Sequence, residues 1–146
     1  MVTALLDVNV LIALAWPNHQ HHKEVKKWFN GPDRKSWATC PITQNGFIRI
    51  SSNPKIIESA VTVLGAMDFL MQLTAHPEHH FLQDSLDFSL ITPRPDSLLQ
   101  GYRQVTDAYL VCLAARSESV LVTLDRHIIN AVKGTGFEDS VTSVLD

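Results

Sequence analysis

Two short apolar runs, each closed by an aspartate, constrain the fold of this chain more than any other feature. V-T-A-L-L runs from Val2 to Leu6 and meets Asp7; V-L-V-T-L runs from Val120 to Leu124 and meets Asp125. A strand with one wet face alternates apolar and polar residues, so these nearly unbroken runs suit strands covered on both sides. Asn9 then opens V-L-I-A-L-A-W, whose length and Ala/Leu content suit a buried helix. The order strand, carboxylate, helix belongs to open α/β sheets, in which ligands bind outside the carboxyl ends of the strands.

The rest of the chain repeats this alternation. Pro17 and Asn18 stop the first helix, and a more polar one follows from about His19 to Phe29, with Val25, Trp28 and Phe29 on its apolar side. Ser36 to Cys40 reads as a second short strand. Pro41 and Thr43 suit the start of a helix that carries Phe47, Ile48 and Ile50 to its end near Ser51. A helix is expected from about Ser59 to Leu73, with Val63, Leu64, Met67, Leu70 and Met71 at helical spacing. Leu82 to Ile91 reads as a turn and a strand into Thr92-Pro93. Thr106 is the expected N-cap of a helix containing Asp107 and A-Y-L-V-C-L-A-A-R, apolar nearly all round. A short helix from Ile128 to Val132, a turn from Lys133 to Gly136 and an edge strand from Val141 to Val144 complete the pattern. Helices alternating with parallel-type strands predict an α/β fold, and the absence of repeats and linkers predicts a single domain over 1–146.

Charge and cysteine content narrow the function classes. Fifteen acidic residues against twelve Lys and Arg give a formal charge of −3, which excludes a strongly basic nucleic-acid cloak but not a local basic groove. Cys40 and Cys112 form no CxxC or zinc spacing and read as small core hydrophobes. The apolar start, Met1 to Trp16, is broken by Asp7 and Asn9, has no basic leader and is too short to span a bilayer. A soluble, cytoplasmic protein with no membrane association is expected.

The chemistry is carried by the placement of three acids. Asp7 and Asp125 end apolar strands, and Asp107 sits in the first turn of an apolar helix. Taken singly, Asp107 also suits a helix start, Asp7 a loop and Asp125 a turn. If the two strands are neighbours, however, the three carboxylates converge. Clustered anions repel one another and apolar surroundings disfavour their charge, a conflict that a divalent cation removes. Oxygen ligands without paired Cys or His favour Mg²⁺ or Mn²⁺ over zinc, and metal-assisted phosphodiester hydrolysis follows from such a site. Asn9 suits either a hydrogen bond to the first carboxylate or a helix cap. Thr123 shares a strand face with Asp125 and is placed to support that acid with its hydroxyl. His19, His21 and His22 suggest local packing or substrate contact rather than a metal site, and His76, His79 and His80 a solvated turn. Arg49, Arg103, Arg126 and Lys133 are the bases available for phosphates, while Trp16 and Trp28 read as core or partner-facing anchors.

Four segments together resemble the PIN-domain family, and within it the VapC-type toxins of bacterial toxin–antitoxin pairs: L-L-D-V-N-V-L-I-A-L, W-A-T-C-P-I-T-Q-N-G-F-I-R-I, T-D-A-Y-L-V-C-L-A-A-R and L-V-T-L-D-R. The resemblance covers nearly the whole chain. It implies a three-layer α/β/α domain with a central, mainly parallel sheet, Mg²⁺- or Mn²⁺-dependent endoribonuclease activity on transfer or ribosomal RNA, frequent homodimerisation, and neutralisation by a cognate antitoxin. Asp7 and Asp107 match metal-binding acids, Asp125 the acid after the later strand, and Asn9 and Thr123 supporting polar positions. One position departs. Many PIN nucleases carry a glutamate where this chain has Gln44, although the pattern with glutamine resembles one subgroup of these toxins. A neutral amide can offer its carbonyl to a metal but binds it less strongly and cannot act as a base. Gln44 therefore motivates an alternative, a catalytically weak module that binds RNA or protein. A haloacid-dehalogenase or receiver domain fits poorly because Asn9 or a missing acidic pair breaks its pattern, and no glycine-rich loop supports a dinucleotide-binding fold.

Overall fold

A computed structural model of the chain describes residues 2–34, 36–91 and 100–145. Its five strands are Thr3–Leu6 (β1), Trp37–Thr39 (β2), His79–Phe81 (β3), Ser119–Thr123 (β4) and Val141–Ser143 (β5). They pair in parallel throughout, in the order β3-β2-β1-β4-β5. The two strands that end in aspartate are thus direct neighbours at the centre of the sheet, with Leu5 opposite Leu121 and Leu6 opposite Val122.

Strand periodicity divides the core. Leu5, Ala38, Leu121 and Val141 point to one face and pack with the helices Val105–Arg116 (α5) and Arg126–Val132 (α6). Ala4, Leu6, Trp37 and Val122 point to the other, beneath Val8–Ala15 (α1), His22–Phe29 (α2), Pro41–Ser51 (α3) and Val63–Thr74 (α4). With both faces covered, the architecture is three-layered, α/β/α. Cys40 and Cys112 are free, buried members of this core, as expected.

Local chemistry sets the helix starts. Asp7 caps α1 by accepting a hydrogen bond from the Val8 amide. Pro41 opens α3, where the Thr43 hydroxyl accepts from the Cys40 amide. Gly46 lets α3 approach α1, since a Cβ there would lie 2.6 Å from the Val8 Cγ2 methyl.

Several expectations are corrected. The caps differ from those expected: Asn9 lies inside α1, and Gln104, after a 3-10 turn at Tyr102–Gln104, precedes α5, so Thr106 is already helical. Helix α2 begins at His22, after turns, and α4 at Val63, because the Thr62 hydroxyl takes the Gly65 amide as its cap. Of the α4 residues at helical spacing only Leu70 is buried; Val63, Leu64, Met67 and Met71 face outward. His79 and His80 belong to the edge strand β3 rather than a solvated turn. Leu82 to Ile91 holds a 3-10 turn at Phe88–Leu90 instead of a strand, and Thr92 and Pro93 lie outside the described residues. Among the described residues no helix is long and apolar enough to cross a membrane.

Candidate active site

The carboxyl edge of β1 and β4 carries a tightly bonded polar group. Asp7 is 7% exposed. Its Oδ1 accepts from the Val8 amide at 2.7 Å and its Oδ2 from the Thr123 hydroxyl at 2.7 Å. The Thr123 oxygen in turn accepts from Asn9 Nδ2 at 3.3 Å and from the Asp125 amide at 3.0 Å. Asn9 Oδ1 accepts from the Leu124 amide at 3.1 Å. Asn9 therefore clamps the end of β4 and reaches Asp7 through Thr123. Thr123 itself supports Asp7 through its hydroxyl proton and meets Asp125 only at the backbone, which corrects the expectation that it serves the Asp125 carboxylate.

Asp125 caps α6, its Oδ1 accepting from the His127 amide at 2.8 Å. Asp107 lies in the first turn of α5, which packs on the same sheet face as α6. Burial raises the Asp7 carboxyl above its ordinary value against the Thr123 and Val8 hydrogen bonds, with repulsion from Asp125 adding to the rise. Asp107 is pushed up from 3.8 to about 6, first by burial and then by the negative charges of Asp7 and Asp125, while His127 acts the other way. The three acids thus form one electrostatic unit. Among the described residues no three acids, histidines or cysteines form a ready-made metal cage. The carboxylates of Asp7, Asp107 and Asp125 are the oxygen donors available to a magnesium-like ion, the kind that retains several waters.

Gln44 stands in the first turn of α3, above β2 and next to the β1 edge. Its Nε2 donates to the Thr39 hydroxyl oxygen at 3.0 Å. A groove of about 360 Å³ runs past the site, lined by Val8, Ile42, Asn45, Arg49 and Thr106 among others. Val8 and Thr106 adjoin Asp7 and Asp107, so the groove opens beside the acids. Arg49 Nε donates to Asn45 Oδ1 at 2.7 Å, which holds this base at the groove wall. Arg126 follows Asp125, Lys133 ends α6, and Arg103 lies over the Tyr102 ring away from the groove lining. Trp16 is an anchor of the fold, donating to the Ser51 hydroxyl and packing on Phe69, and Trp28 packs against the core. His19 and His22 make local bonds, to the His21 amide and the Ala13 carbonyl.

Sequence reasoning missed the Thr39 and His79 side chains, which bond each other at 2.8 Å behind Gln44. No spacing rule links residues so far apart, and the only available signal was a threonine closing a buried strand.

A parallel α/β/α fold with acids gathered at the carboxyl edge of its two central aspartate-ended strands defines a domain of the PIN class. Residues 4–134 match the PIN domain family, and the chain belongs to it. It is closely related to several VapC proteins. It is 48% identical over 122 residues to Ribonuclease VapC38 of Mycobacterium tuberculosis, covering 84% of each chain. It is 42% identical over 124 residues to Ribonuclease VapC39 of the same species, covering 85% of this chain and 89% of that protein. In three dimensions it resembles DNA-bound VapBC from Salmonella typhimurium, with a TM-score of 0.60 at 13% identity and 99% of both chains covered. VapBC-1 from nontypeable Haemophilus influenzae gives the same score and identity, covering 100% of both chains. At these identities the structural matches establish the shared fold.

Proposed function

We propose that this chain is a single-domain, cytoplasmic, Mg²⁺- or Mn²⁺-dependent endoribonuclease toxin that hydrolyses phosphodiester bonds in transfer or ribosomal RNA. A cognate antitoxin occupying the groove beside the acids neutralises it, and the toxin pairs as a homodimer. The observation that carries this reading is the electrostatic coupling of Asp7, Asp107 and Asp125 at one sheet edge. Kinship with proteins named as VapC ribonucleases, and with a fold found in VapBC assemblies, supports the toxin role.

Asp7, Asp107 and Asp125 would hold the cation, and a bound divalent ion would supply Lewis-acid activation of the phosphoryl group and of water. Thr123 and Asn9 fix the rotamer of Asp7, so the carboxylate does not reorganise as charge develops. Burial of Asp7 keeps water from its carboxylate and strengthens each charge interaction it makes at the edge. Arg49, on the groove wall, meets an RNA phosphate beside the cleaved one.

Cleavage of a panel of transfer RNAs and ribosomal RNA fragments, with Mg²⁺, Mn²⁺ or chelator, tests the proposal. Metal-dependent cuts are expected, with Asp7→Asn reducing the rate about a hundredfold or more, the scale on which one preorganised electrostatic partner acts. Unchanged turnover in the folded variant refutes this mechanism. Tight RNA binding without metal-dependent turnover favours instead the weak binding module suggested by Gln44.

A further inference from the structure

The residues behind Gln44 form a hydrogen-bonded chain with a direction. Thr39 ends β2 and is fully buried; His79 opens β3, directly opposite Trp37 in register, with its ring 4.7 Å from the Trp37 ring. Gln44 Nε2 donates to Thr39 Oγ1 at 3.0 Å, and Thr39 Oγ1 lies 2.8 Å from His79 Nε2. The Thr74 backbone at the end of α4 favours a proton on the His79 ring. With Nε2 engaged by the Thr39 hydroxyl, whose oxygen already accepts from Gln44, that proton falls to Nδ1.

Proton counting then runs along the whole chain. If Nδ1 of a neutral imidazole holds the proton, Nε2 is an acceptor, and the single Thr39 hydroxyl proton is committed to it. The Thr39 oxygen is left with lone pairs only. Whatever residue 44 presents must be a donor. A glutamine NH₂ supplies one; an ionised glutamate faces the same oxygen with a second acceptor. Protonating His79 to escape the conflict is opposed by burial and by His80 and His76 beside it, all of which lower its proton affinity. Once Nε2 of Gln44 is tied down, its carbonyl Oε1 is directed away from Thr39, and among the described residues it takes no hydrogen bond.

We propose that Thr39 and His79 are positioning residues that orient the Gln44 amide, presenting its carbonyl oxygen as a neutral ligand for the cation held by Asp7, Asp107 and Asp125. Glutamine is then the residue this chain's own hydrogen bonding demands at position 44, not a damaged glutamate. The cation half of the proposal rests on the function proposed above; the direction of the chain does not.

The test separates the two. Nitrogen-15 NMR of the histidine rings, at alkaline pH where they are neutral, reads the His79 tautomer without RNA or metal. The Nδ1–H form is expected in the wild type. In Gln44→Glu the Thr39 hydroxyl turns to the new carboxylate, and the Nε2–H form is expected, with the Trp37 and Thr39 backbone amides reporting an intact sheet. An Nε2–H ring in the wild type, or the same tautomer in both proteins, overturns the proposal. Mn²⁺ titration followed by water-proton relaxation then measures affinity. Thr39→Val is expected to bind about tenfold more weakly, the usual cost of removing support from a ligand, and Thr39→Ser to restore binding. Unchanged affinity in Thr39→Val overturns the positioning role. A wild type that shows the expected tautomer but binds no Mn²⁺ removes the cation half, and RNA left intact by a Mn²⁺-binding wild type counts against the nuclease reading alone.

Discussion

Replacing Asp107 by asparagine is expected to stabilise the metal-free protein, and only above mildly acidic pH. Folding raises the Asp107 carboxyl from 3.8 to about 6 through burial and the charges of Asp7 and Asp125. The native state therefore binds more protons than the unfolded chain between those values, and stability falls as pH climbs through that window. Below it both states are protonated and the destabilisation is absent; above it the full cost is present and constant. Each tenfold step in proton affinity is worth about 1.4 kcal/mol, so a fully buried group would lose about 3 kcal/mol across the window. Asp107 is only half-buried and water screens it, which brings the expected loss down to about 1–2 kcal/mol. Urea denaturation in chelator, at a series of pH values from below 4 to above 7, measures this directly. Asp107→Asn should match the wild type at the acid end and exceed it by that amount at neutral pH. Saturating Mg²⁺ should recover stability in the wild type far more than in the variant. A stability difference that stays flat across the series would falsify the electrostatic coupling of the three acids.

Two further substitutions probe the same edge. Thr123→Val leaves Asp7 without its hydroxyl donor and the Asp125 amide without its acceptor; a loss of about 2–3 kcal/mol in denaturation is expected. Because the lost bond had lowered the Asp7 carboxyl, the onset of Mn²⁺ binding should also move to higher pH, and an unmoved onset would show that Thr123 does not control the charge of Asp7. Gly46→Ala forces a Cβ to within 2.6 Å of a Val8 methyl, so a drop of about 1–3 kcal/mol is expected. Val8→Ala in the same protein should recover most of it, and additive effects of the two changes would argue against the close approach of α3 to α1.

The elements with strong apolar patterns were legible in the sequence. β1, β4 and α5 carry buried runs whose length alone separates strand from helix, and the aspartates at the strand ends marked the edge where the site lies. What escaped has little to bury. β3 is a three-residue polar edge strand, H-H-F, whose pairing with β2 depends on backbone bonds rather than on side-chain pattern. The start of α4 was obscured because its outward residues are as apolar as its inward ones, so periodicity did not reveal Thr62 as the cap. At the site, residue types suggested that Asn9 and Thr123 matter, but not how. Their hydrogen bonds cross more than a hundred residues of chain, and only the pairing of β1 with β4 decides which carboxylate Thr123 serves.

That pairing has a consequence for the order in which the protein is made. Asp7 and the hydroxyl that holds it are 116 residues apart, in a chain that leaves the ribosome amino end first. β1 is available early, but its neighbour β4 is translated only after most of the sheet's other partners. Until β4 docks, Asp7 has no Thr123, Asp125 has no place, and the carboxylates share no edge. A chain truncated before β4 carries its first aspartate without the hydroxyl that holds it.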